Sequence, residues 1–112
     1  MVITALVLLV LAALLGAYLL MHVLRSRPTP KAIAFVHGPL AAAGVVLVIV
    51  KAITEGGIWW LAGALFVIAA AGGAWLIVSD LRGTGPAKPL AMLHGLLAVT
   101  AFGVLLYAIA HT

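Results

Sequence analysis

Two histidines are the residues of this chain best placed to do chemistry. His37 and His94 stand in similar stretches, 31–41 and 88–98, which share Lys, Ala, the pair His-Gly, Leu and Ala in one register. They are 57 residues apart (94 − 37), and the same offset aligns Gly16-Ala17 with Gly73-Ala74 and Leu24-Arg25 with Leu81-Arg82. With no gap, 16 of 55 aligned pairs are identical, so the chain reads as a tandem repeat, 1–55 and 58–112. An imidazole carries protons, or binds a metal through its unprotonated nitrogen. An ionisable residue inside an apolar segment is by default a functional-site expectation.

The rest of the inventory excludes most other chemistry. The chain has no cysteine, which removes disulfides, thiolate metal sites, iron–sulfur clusters and covalent haem attachment. Of its two carboxylates, Asp80 falls at the end of an apolar run and Glu55 in a connecting turn. A proton-coupled cation exporter would need one deeper in the membrane. No Ser/His/Asp set, phosphate loop or metalloprotease helix motif is present. Thioether and imidazole together suit copper, but Met92 and His94 are two residues apart and point to different faces of a helix. His22 aligns with Ser79 and lies near a boundary, and His111 lies at the opposite end. Neither is expected to join a paired site.

The elements that carry the histidines must be membrane helices. The composition is 67% hydrophobic and only 7% charged. The apolar runs Val2–Leu24, Ala32–Val50, Ile58–Val78 and Leu90–Ala110 are each about the 20 residues that a spanning helix needs. They take up nearly the whole chain, so a single integral membrane domain, 1–112, is expected. The first run lacks the basic start of a signal peptide and is too long for one, so it reads as a retained helix. The fold expected is all-α: a four-helix transmembrane bundle of two tandem helical hairpins in the same orientation. Lys51–Gly57 is expected as a turn, and Trp59-Trp60 as part of the headgroup belt. Pro39 withdraws a backbone donor and should kink the second helix.

Charge sets the expected orientation. The net charge of +4 at pH 7 reports topology here rather than nucleic-acid binding. Arg25, Arg27, Lys31, Arg82 and Lys88 crowd the 1–2 and 3–4 turns. By the positive-inside rule those turns face the cytoplasm, and both termini face the other side of an inner or plasma membrane.

His37 and His94 each follow a Lys by six residues, about 9 Å below that boundary at the helical rise. Tyr18 and Trp75, each seven residues before an Arg, are expected at the same depth and among the residues that line the cofactor. Small residues follow the histidines on their own faces: Ala41 and Gly44, Ala98 and Ala101. They leave room for a close helix or a flat ligand. Two neutral imidazoles, a planar space and a basic rim for two propionates together describe a bis-histidine haem b, one per chain.

The architecture and the His37-Gly38 and His94-Gly95 positions resemble the four-helix membrane b-type cytochromes. In that group, histidines from different helices hold haem within the bundle. The resemblance implies electron transfer, with quinone or a redox protein as partner, and a haem-dependent membrane oxidoreductase if the chain is an enzyme. Diheme members carry a second histidine pair, and only one deep pair is present here. The alternatives from other classes are a cofactor-free accessory subunit of a larger membrane complex and a small metal or solute carrier. The small-residue stripes would also suit a homodimer.

Overall fold

The computed structural model describes residues 1–112 as four helices: α1 Val2–Leu24, α2 Lys31–Glu55, α3 Ile58–Leu81 and α4 Lys88–Ala110. All four are long and apolar enough to cross a membrane. The chain is an integral membrane protein, with large apolar side chains such as Ile3, Leu14, Phe35 and Val99 on its outer surface. In lipid a helix satisfies its own backbone groups, so helices of this length are the form such runs must take.

Each helix end has a physical cause. Pro30 and Ala87, in extended conformation, precede α2 and α4, and Pro89 occupies the first turn of α4. After α1 the chain closes on itself: Ser26 N–H donates to Val23 O at 3.1 Å, and Arg27 N–H to His22 O at 2.9 Å. After α3 the same pair recurs from Gly83 to Asp80 and from Thr84 to Ser79, at 3.1 and 3.2 Å. This two-bond closure needs a left-handed residue. Gly83 supplies it at φ 81° and Ser26 at φ 55°.

The turn expected over 51–57 is shorter. Helix α2 continues to Glu55, because Lys51 and Glu55 pair one turn apart at 3.0 Å and Thr54 donates to Lys51 O at 3.0 Å. Only Gly56 and Gly57 remain, with φ of 69° and 57°, to reverse the chain. Helix α2 also runs unbroken through Pro39.

Helix α1 packs on α2, α3 on α4, α2 on α3 and α1 on α4, so α1 and α3 face each other across one diagonal and α2 and α4 across the other. The main apolar cluster joins Ala5, Leu9, Val48, Trp59, Phe66 and Leu105, with further small residues between them. Small residues at the contact let membrane helices approach. At Gly44, for example, an added Cβ would stand 2.6 Å from Leu9. Trp59 is 3% exposed and belongs to this cluster, not to the headgroup belt, because it shares a helix face with Ala62, Phe66 and Ala69. Its neighbour Trp60 is half exposed and suits the belt.

The two hairpins are tied at the basic end. Lys31 Nζ meets Asp80 Oδ2 at 2.7 Å, and the Thr29 hydroxyl donates to the same carboxylate. Asp80→Asn should lower stability by about 1 kcal/mol, since Lys31 remains partly solvated. Thermal unfolding in detergent checks this: Lys31→Met should cost a similar amount, and the double variant little more than either single one.

Candidate functional site

Both histidines are held by a neighbouring helix. His37 Nδ1–H donates to the Ala12 carbonyl of α1 at 2.7 Å, and His94 Nδ1–H to the Ala69 carbonyl of α3 at 2.6 Å. Each bond spans 25 residues, and donor and acceptor both shift by 57 from one to the other. A carbonyl only accepts, so the proton sits on Nδ1 in both rings. In the neutral imidazole Nε2 then carries the lone pair. Neither Nε2 has a protein partner.

Glycine makes these bonds possible. Ala12 O already belongs to the ladder of α1, which runs toward residue 16. A side chain at residue 16 would stand where His37 enters: a Cβ on Gly16 would lie 2.9 Å from His37 Cε1. Gly73 has the same relation to His94, again at 2.9 Å. Sequence reasoning passed over both glycines as site residues, although they stand in the aligned stretches Gly16-Ala17 and Gly73-Ala74.

The histidines come from diagonal helices and still meet. Their ring centroids are 6.4 Å apart and the planes are nearly perpendicular, at 88°. Two imidazoles on opposite sides of one metal ion, each at about 2.0 Å, would have centroids roughly 6 Å apart. The apolar cluster stops at this layer. Its members on all four helices lie on the side away from the basic turns. Toward those turns the buried residues are only Val23 and Ala91, with Ala12 and Ala69 at the layer itself.

The remaining expected site residues are more scattered. Tyr18 and Trp75 are 50% and 68% exposed on the outside of the bundle, and the fold does not bring them to the histidines. Each is two residues from a glycine that faces a histidine, about 200° around the helix. Tyr18 instead packs against His22, with centroids 4.6 Å apart and the rings tilted by 56°. Lys31 is engaged by Asp80. Arg27 and Lys88 line a cleft of about 330 Å³ between the two basic turns, with Thr29, Asp80 and Pro86. Arg25 and Arg27 also border a smaller pocket beside Tyr18. Arg82 is exposed. His111 stacks on Tyr107 at the far end, 4.0 Å between centroids.

Comparison with known proteins gives no match: no family model, no curated protein and no solved structure is similar to the chain.

Two imidazoles are too few protein donors for a bare ion such as zinc. Zinc takes four ligands, and no group of three or more His, Cys, Asp or Glu converges anywhere in the chain. A porphyrin brings four nitrogens of its own and needs two more. Gly16→Ala and Gly73→Ala should each displace a histidine and break its bond to the facing carbonyl. The expected cost is about 1–3 kcal/mol. Imidazole nitrogen NMR reads the lost Nδ1–H bond directly. Gly38→Ala, where an added Cβ meets nothing within 4 Å, is the control and should leave the spectrum unchanged.

Proposed function

We propose that the chain is a small membrane b-type cytochrome in which His37 and His94 are the axial ligands of one haem b. The observation that carries this reading is the meeting of two Nε2-free imidazoles from diagonal helices, with centroids 6.4 Å apart. Haem held by His37 and His94 would supply reversible one-electron transfer. The chain's own residues orient and insulate. Ala12 and Ala69 carbonyls hold the tautomer and ring direction, as outer partners of ligating histidines do. Of the basic rim, Lys31 is engaged by Asp80 and the two arginines of the first turn border the pocket beside Tyr18. Lys88, in the cleft between the two basic turns, and Arg82 would be the cations that meet the propionates. The two hairpins are read as a parallel repeat about an axis normal to the membrane, with the basic turns in the cytoplasm. Quinone or a redox protein would exchange electrons with the site.

Protein purified from haem-replete cells should show a low-spin, six-coordinate spectrum. His37→Ala and His94→Ala should each lose most of the haem, to a similar degree, whereas His22→Ala and His111→Ala should keep it. A folded but colourless wild type would sink the reading and leave the accessory-subunit alternative in front.

Orientation is tested separately. A cysteine placed between residues 25 and 30 should resist an impermeant reagent applied outside the cell, and one added after Thr112 should react. The opposite pattern would reverse the topology.

A further inference from the structure

A second site lies at the end of α1. A pocket of about 200 Å³ is lined by Tyr18, Met21, His22, Arg25 and Arg27. We infer that it binds the phosphate headgroup of an anionic phospholipid.

The position suits a lipid. The pocket spans the last turn of a membrane helix and the residues just beyond it. Tyr18 and Met21 are 50% and 49% exposed there, so the pocket opens on the outer, lipid-facing side of the bundle. Acyl chains would lie along α1, and the headgroup would reach the arginines at the boundary.

The charges suit a phosphate. The chain's two ion pairs are Lys31 with Asp80 and Lys51 with Glu55, so both arginines lack a carboxylate partner. A guanidinium grips phosphate with two parallel N–H donors. Capping the helix does not require these side chains. The last carbonyls of α1 already accept backbone N–H groups: Met21 O from Arg25 at 3.1 Å, Val23 O from Ser26 at 3.1 Å and His22 O from Arg27 at 2.9 Å. His22 Nδ1–H donates to Tyr18 O at 2.9 Å and leaves Nε2 free for a further polar partner.

The matching turn after α3 closes in the same way but carries different side chains. There, Ser79 and Thr84 stand in place of His22 and Arg27, so the site exists once per chain. It shares no ligand with the histidine pair and does not depend on the haem reading.

The test uses the full chain, purified in detergent, stripped of lipid and titrated with phosphatidylglycerol or phosphatidylcholine. Bound lipid is counted by native mass spectrometry. One phosphatidylglycerol should be retained about tenfold more tightly than phosphatidylcholine, whose cationic group would face the arginines. Arg25→Gln and Arg27→Gln should each reduce that preference severalfold. Arg82→Gln, which removes one charge from the other basic turn, should preserve it. Circular dichroism verifies that each variant stays helical, and His22→Gln provides a further variant with a smaller loss. Equal retention of the two lipids, or the same loss in Arg82→Gln, would overturn the proposal. So would displacement of the lipid by millimolar inorganic phosphate, which would assign the pocket to free phosphate.

Discussion

The arrangement at the centre of the bundle depends on one contact made twice: an imidazole N–H bonded to a backbone carbonyl on the neighbouring helix. The carbonyl has two lone pairs, and the helix ladder uses one. The second can be reached from the side only where the next turn lacks a side chain, and Gly16 and Gly73 provide that opening. The bond at 2.6–2.7 Å then sets how closely α2 lies on α1 and α4 on α3. It also fixes the tautomer of both rings.

Lipid is as apolar as the core, so burial of apolar surface drives helix association far less here than in water. Close packing and polar ties must do more. In one half of the bundle, alanine and glycine bring helices together around Leu9, Phe66 and Leu105. In the other half the ties are polar: the two histidine bonds, and at the boundary Asp80 held by Lys31 and Thr29. The half that is tied by polar groups has the fewer buried side chains, and the histidines stand between the two.

How much of this was legible in the sequence depended on the kind of signal. The four helices could be read from hydropathy alone. So could the pairing of His37 with His94, because the offset of 57 residues copies a whole local sequence. Depth could be counted from the nearest charges, but depth says nothing of direction around the helix. That is why Tyr18 and Trp75 were placed beside the histidines when Gly16 and Gly73 are the residues that face them. Hydrophobic patterning could not help, since lipid-facing and core-facing positions are both apolar; Trp59 and Trp60 look alike in sequence and differ in burial. The end of α2 was misjudged for a different reason. Lys51 and Glu55 read as turn residues, yet their spacing lets them pair along a helix.

The geometry also bears on whether the histidines serve only to hold helices together. For that purpose each ring needs one bond, and each has it. Nothing in that role requires rings from helices that do not touch to converge within 6.4 Å of one another. Convergence brings two Nε2 atoms without a hydrogen-bond partner into the same half-buried layer. The buried polar side-chain atom that lacks a partner is Trp59 Nε1, in the apolar half of the bundle, and not a histidine nitrogen. A ligand that accepts a nitrogen lone pair from each side would use both Nε2 atoms together. The proposed haem would engage both at once, whereas two separate staples would leave them without a role.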